Sequence, residues 1–228
     1  MLYLAGILES HIRKEGEGLV LVPGGTLYET ALHIRRDIDP RVAVLAKISN
    51  DMPGRMLLES LVHERIFFDP FLVSPSRSTS LVIEDGEGGR DSYYITGSSA
   101  LDVSTEEVSE SLGTQSDVTT FVIVGSAIYH NSLLGAYLDS ATFLNPRPRI
   151  VLYPACRAAG PIDACMMARQ LSKGLIEADE LVLDDYDISF LGLEDVERLA
   201  PVVHLLGDDP RPTNPVLEAA IRSWISAG

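Results

Sequence analysis

The chain has 228 residues, of which 46% are hydrophobic and 22% charged, and its formal net charge at pH 7 is −15. This size and composition predict a soluble globular protein with one ample core. The negative charge argues against binding to nucleic acid or to an anionic membrane surface, because both would be repelled. No apolar run is long enough to span a membrane, and residues 1–8 fit a strand better than a signal peptide. Because Cys156 and Cys165 have neither metal nor redox spacing, we expect a cytoplasmic protein.

The first half of the chain carries an irregular series of short strands and helices. Apolar runs predict strands at 2–8, 19–22, 42–48, 79–84 and 92–96, and apolar periodicity predicts helices at 26–36 and 54–65. The Gly-rich turn at 85–89 joins the last two strands as a hairpin. We expect the hairpin-rich stretches, within about 9–25 and 79–96, to form a small β lid.

From about residue 104 the chain alternates between strands and helices. Strands are predicted at 119–124, 149–153, 180–183 and 202–206, and helices at 105–112, 131–141, 161–177, 187–199 and 214–227. Continuous apolar strands separated by helices are typical of a parallel sheet that is covered on both faces. The sequence therefore predicts one α/β domain over residues 1–228 with a central, mostly parallel sheet.

Several short segments stand in an order and spacing that resemble one known family. They are GILESH at 6–11, PGGTLYETA at 23–31, KISNDMPGR at 47–55, TSLVI at 79–83, ADELVLDDYDISFLG at 178–192 and VVHLLG at 202–207. Over roughly residues 1–210 these segments resemble the landmarks of the ribokinase-like (PfkB-type) carbohydrate kinases. The resemblance implies a ribokinase-like three-layer sandwich and the ATP- and Mg²⁺-dependent phosphorylation of a sugar or a related small molecule.

The resemblance also implies roles for individual residues. The sugar-side positions would be His11, Gly24, Gly25, Glu29, Thr79 and Arg157. Asp184 and Asp187 would organise Mg²⁺, a hard cation that prefers oxygen ligands. Taken from the residues alone, each charged position has an alternative. Glu29 can complete a capping box with Thr26, His11 can be satisfied within the core, Arg157 can cap a helix C-terminus, and the two Asp can complement a helix dipole.

The chain also departs from the family pattern where the chemistry is done. The sugar-binding Asp of the family is His11 here, and the Asn near it is Glu9. The Gly-Ala-Gly-Asp motif is absent, PTNP at 212–215 stands in its place, and the family's C-terminal nucleotide-binding part is shortened. In that motif the family has its general base and the backbone N–H groups of its anion hole, each worth on the order of a hundredfold in rate. Because proline has no N–H, we expect phosphotransfer to be impaired or lost, and no catalytic residue can be assigned.

Three functions remain open from the sequence. The first is an active kinase with relocated catalytic groups, for which Asp208 and Asp209 are candidates unless they form a turn. The second is a non-catalytic descendant that keeps the fold and binds a sugar-like ligand. The third is a dimeric interaction module that pairs through the lid, since an exposed strand edge readily pairs. The losses described above favour the second.

Overall fold

The computed structural model describes the chain except for residues 40, 70–71, 76, 86–90, 96–97, 114–116, 157–162 and 227–228. The strands, numbered in chain order, are β1 Leu2–Gly6, β2 Glu9–Glu15, β3 Gly18–Gly24, β4 Val42–Leu45, β5 Ile48–Ser49, β6 Phe67–Phe68, β7 Val73–Ser74, β8 Ser80–Asp85, β9 Asp91–Ile95, β10 Thr120–Val124, β11 Arg149–Tyr153, β12 Glu180–Leu183 and β13 Val202–Leu205. The α-helices are α1 Gly25–His33, α2 Met52–His63, α3 Ser98–Leu101, α4 Thr105–Gly113, α5 Asn131–Thr142, α6 Ala164–Gly174, α7 Asp185–Leu191 and α8 Pro215–Ser226.

The core is a seven-stranded sheet in the order β13-β12-β11-β10-β1-β4-β6, and every pair in it is parallel. The central strands are apolar along their whole length and buried on both sides, as β1 and β10 show. Continuous apolar strands of this kind need helices on both faces, which the alternating segments supply. The predicted α/β fold with a mostly parallel sheet is confirmed.

A second, four-stranded sheet has the order β3-β2-β8-β9 and is called the small sheet below. β2 and β3 form an antiparallel hairpin, and β2 pairs in parallel with β8. The predicted hairpin is present as β8 and β9, although its turn lies outside the described residues. These strands occupy the two stretches for which the sequence predicts a lid, and the lid role stays a prediction. The sequence did not predict β2, because its second half is charged and exposed.

Several boundaries differ from the predicted ones. The helix expected at 26–36 is α1 followed by a π-helical turn over Ile34–Ile38. The helix expected at 161–177 is shorter, and Asp163 caps it by accepting the N–H of Met166. In the part of the chain that the structure describes, no helix is long and apolar enough to cross a membrane. The strand predicted at 42–48 is divided into β4 and β5, which belong to different sheets, and β6, β7 and α3 were not predicted.

Candidate functional site

Two adjoining cavities lie where the parallel strands of the large sheet end, which is where open α/β sheets place their ligands. The outer cleft, of about 160 Å³, lies between α1, the ends of β11 and β12, and the loop at 210–212. The inner cavity, of about 10 Å³, is lined by Glu9 of β2, the start of α1 and the residues that follow β10. Thr26 lines both cavities, so the two lie next to each other.

Glu9 and His11 lie over the two glycines that precede and open α1. Both side chains are largely buried, and Nε2 of His11 lies 3.6 Å from Oε2 of Glu9, an ion-pair distance that exceeds hydrogen-bond range. A Cβ atom at Gly24 would lie 2.5 Å from the His11 ring, and one at Gly25 would lie 2.8 Å from Oε2 of Glu9. Gly25 also has φ +83°, which favours glycine. The structure thus brings the predicted residues His11, Gly24 and Gly25 together with Glu9, and the role of these three in binding a ligand stays a prediction.

Glu29 lies on α1 and lines the outer cleft. The alternative reading, a capping box between Thr26 and Glu29, is wrong. The N-cap of α1 is Gly24, and no side chain caps it. The helix begins at Gly25, one residue before Thr26, because the glycine pair allows the turn into the helix at that point.

Thr79 lies just before β8 and lines neither cavity. Its hydroxyl donates to Oδ1 of Asp51 at 2.7 Å and accepts the N–H of Ser49 at 3.0 Å. Both of these hydrogen bonds of the Thr79 hydroxyl are made to other residues of the protein. A direct sugar contact by Thr79 stays a prediction without support from its position.

Asp184 and Asp187 form a capping box at the start of α7. Oδ1 of Asp184 accepts the N–H of Asp187 at 2.6 Å, and Oδ2 of Asp187 accepts the N–H of Asp184 at 3.1 Å. Oδ1 of Asp187 also accepts the N–H of Cys156 at 2.7 Å. Burial raises the pKa of Asp187, with the charge of Asp184 adding to the effect.

This arrangement fits the helix-capping alternative for both acids, and it engages both oxygens of Asp187 with backbone N–H groups. Asp184 also lines the outer cleft. Within the described ranges, no group of three or more His, Cys, Asp or Glu side chains could hold a metal ion. The magnesium role of Asp184 and Asp187 therefore stays a prediction. Arg157 falls outside the described residues.

The loop after β13 forms one wall of the outer cleft and is tied down at several points. The hydroxyl of Tyr153 donates to the carbonyl of Pro210 at 2.9 Å. Arg211 forms a paired contact with Asp209 and lowers the pKa of that carboxyl to about 2. Gly207, with φ +68°, and Asp208 form the turn that the sequence allowed as the alternative to a catalytic role.

Asn214 occupies the N-terminus of α8. Its Oδ1 accepts the N–H of Val216 at 2.8 Å, and its Nδ2 donates to the carbonyls of Leu206 at 2.9 Å and Asp209 at 2.8 Å. The side chain is buried, and the next residue, Pro215, has no N–H. The N-terminus of α8 is therefore closed by a side chain that cannot accept a proton at neutral pH.

The structure adds residues to this site that the sequence analysis did not single out. Tyr153, Pro210 and Arg211 line the outer cleft. One signal was available for the helix terminus, since Asn followed by Pro is the usual pair at the N-cap and first position of a helix. Nothing in the sequence indicated that Tyr153 would reach the loop after β13, which lies 57 residues farther along the chain.

Comparison with solved structures identifies the fold of the chain. No family model and no curated protein matches the chain. Among solved structures, the fructokinase of Vibrio cholerae O395 with fructose, ADP and calcium bound has a TM-score of 0.71 at 17% identity, over 90% of this chain and 70% of that one. The aminoimidazole riboside kinase of Salmonella enterica has a TM-score of 0.69 at 10% identity, over 90% of this chain and 70% of that one. The ATP-bound fructokinase of Xylella fastidiosa has a TM-score of 0.69 at 16% identity, over 92% of this chain and 72% of that one. The ribokinase-like fold predicted from the sequence is confirmed.

Proposed function

We propose that this chain is a carbohydrate-kinase-like protein that binds a sugar-like small molecule and does not transfer phosphate by the usual route of its fold. The observation that carries this proposal is Asn214, whose amide closes the N-terminus of α8. Phosphoryl transfer needs free N–H donors aimed at the developing charge and a base for the acceptor hydroxyl. The amide group supplies neither, and Pro215 removes one further donor.

The described residues do not fit ATP at this terminus. Val216 N–H already has a partner, and Leu217 N–H lies 3.5 Å from the same amide oxygen. Arg211, the basic side chain among the described residues that line the cleft, is paired with Asp209. Together with a net charge of −15, this environment opposes a nucleoside triphosphate. A role for ATP and Mg²⁺ therefore belongs to the competing proposal, an active kinase with relocated groups.

A sugar-like ligand fits the polar lining of the two cavities. Glu9, Thr26 and Ser126 offer a carboxylate and two hydroxyls around the inner cavity, and Glu29 and Asp184 offer carboxylates around the outer cleft. Carboxylates and hydroxyls are the groups that accept hydrogen bonds from sugar hydroxyls. The inner cavity has room for about one hydroxyl group, and the body of the ligand would lie in the outer cleft.

Isothermal titration tests this proposal with D-fructose, D-ribose and D-glucose, each with and without Mg-ATP. We expect measurable heat with at least one sugar and none with Mg-ATP. Thr26→Val removes the hydroxyl that both cavities share, at constant shape, and should weaken sugar binding by about five- to tenfold. Thr142→Val, at an exposed position in the last turn of α5, is the matched control and should bind as wild type. Tight Mg-dependent binding of ATP would contradict the proposal and favour the active kinase.

A second proposal, self-association through the small sheet, is favoured by one observation. Among the described strands β3 pairs with β2 alone, and Leu19 at its start is 75% exposed. An open strand edge with an exposed apolar residue readily pairs with another copy. Sedimentation of Leu19→Lys tests it, because a homodimer built on this edge should dissociate. An unchanged oligomer would exclude this interface, and a monomeric wild type would exclude self-association altogether.

A further inference from the structure

The carboxylate of Asp51 connects two parts of the molecule that are far apart in sequence. Its Oδ1 caps α2 by accepting the N–H of Gly54 at 2.9 Å, and it also accepts the hydroxyl of Thr79 at 2.7 Å. Its Oδ2 accepts the N–H of Thr79 at 2.9 Å. Three hydrogen bonds to one carboxylate are charge-assisted and stronger than neutral ones. A helix cap alone would need only the first.

The surroundings of this carboxylate are tightly packed. A Cβ atom at Gly54 would overlap the carbonyl oxygen of Ser49 and would lie 2.7 Å from the hydroxyl of Thr79. Burial by itself would raise the pKa of Asp51, but the hydrogen bonds from Thr79 and Gly54 outweigh it and hold the pKa below its ordinary value. The carboxylate is therefore held in its charged form by the groups that it connects.

Thr79 leads directly into the small sheet. The next residue, Ser80, opens β8 and pairs with Glu9 of β2, and Val82 pairs with His11. A second contact comes from β2 itself, since the hydroxyl of Ser10 donates to the carbonyl of Pro53 at 3.3 Å. The start of α2 is therefore bonded both to the residue that precedes β8 and to β2, the strand that carries Glu9 and His11.

We propose that Asp51 is a positioning residue that fixes the small sheet to the first turn of α2 and thereby holds Glu9 at the inner cavity and His11 over Gly24. Asp51 touches neither cavity itself and acts through Thr79 and the pairing of β8 with β2. This proposal does not depend on the proposed function, because it concerns the attachment of the small sheet, whatever ligand the cavities take.

Asp51→Ser separates the two tasks of the carboxylate. Serine caps a helix about as well as aspartate, but its single short oxygen cannot also accept the N–H of Thr79. Hydrogen exchange measured by mass spectrometry should show faster exchange of the amide protons of residues 9–15 and 80–85, by about tenfold or more. Exchange in α2 and in β10 should stay as in the wild type.

Asp51→Ala and Thr79→Ser are the matched controls. Asp51→Ala removes cap and connection together, so exchange should rise in α2 as well as in the small sheet. Thr79→Ser keeps both the hydroxyl and the N–H, so the small sheet should exchange as in the wild type. If Asp51→Ser speeds exchange in α2 and leaves the small sheet unchanged, the carboxylate is a helix cap only and the proposal is overturned.

Thr79→Val provides the test if Asp51→Ser does not fold. It leaves the cap of α2 intact and removes the hydroxyl that donates to Asp51 and accepts the N–H of Ser49. Exchange in residues 80–85 should then rise by a few-fold. Wild-type exchange in the small sheet of this variant would equally overturn the proposal.

Discussion

Replacing Asn214 with alanine tests whether this side chain closes the N-terminus of α8, because its loss should lower the free energy of unfolding. The side chain is 5% exposed and makes three short hydrogen bonds, one as a helix cap and two to buried or partly buried carbonyl oxygens. Loss of the cap costs about 1 kcal/mol. Each carbonyl left without its donor costs about 1 kcal/mol more, so we expect a loss of about 3 kcal/mol in the free energy of unfolding.

Urea unfolding followed by the fluorescence of Trp224, which lies on the same helix, measures this loss. The melting temperature should fall by roughly 6–12 °C, because a chain of this length loses about 2–4 °C per kcal/mol. Asn131→Ala is the control, since Asn131 is exposed in the first turn of α5 and contacts only Lys173 on the surface among the hydrogen bonds described. We expect less than about 0.5 kcal/mol there. An equally small loss for Asn214→Ala would refute the reasoning that this amide closes the terminus.

Two further predictions concern a glycine and a thiol. Gly54→Ala should destabilise the protein by several kcal/mol, roughly as overpacking does elsewhere, because the new Cβ would overlap the Ser49 carbonyl. Gly135→Ala in α5 meets open space and should raise the free energy of unfolding by about 0.5–1 kcal/mol. Equal effects of the two substitutions in urea unfolding would show that close packing at Gly54 does not matter. Burial, with the nearby charge of Asp187 adding to it, raises the pKa of the Cys156 thiol above its ordinary range. At pH 8 the native protein should therefore react rapidly with an aromatic disulfide reagent at the exposed Cys165 alone. The unfolded protein should react at both thiols. Rapid reaction of two thiols in the native state would contradict this.

Much of the fold follows from local pattern. The apolar strands β1, β10, β11 and β12 are each found within about two residues of the predicted bounds, because buried parallel strands leave long apolar runs. β2 was missed for the opposite reason. Its residues 13–15 are charged and exposed, and only its first two residues are buried. The pairing of β2 with β8, about 70 residues away, is set by tertiary contacts that no local pattern records.

The candidate site was predictable in part. The pair Gly24-Gly25 marks a position where side chains would not fit, and the structure accounts for it through the side chains of His11 and Glu9, which lie against the two glycines. The role of Thr79 could not be read from the sequence, because its partner Asp51 lies 28 residues away and looks, in sequence, like an ordinary helix cap. The substitution of 212–215 for the family motif was visible, but only the structure shows that Asn214 uses both ends of its amide.

A phosphotransfer assay tests the central claim most directly. The chain is incubated with Mg-ATP and each of the three sugars used for titration, and sugar phosphate is followed by ³¹P NMR with a parallel measurement of ADP. We expect no sugar phosphate above the uncatalysed background, even with a sugar that gives heat on titration. The reason is that the α8 terminus offers neither a base nor free N–H donors. Turnover near the range of active kinases, about 1 s⁻¹ or more, would contradict it.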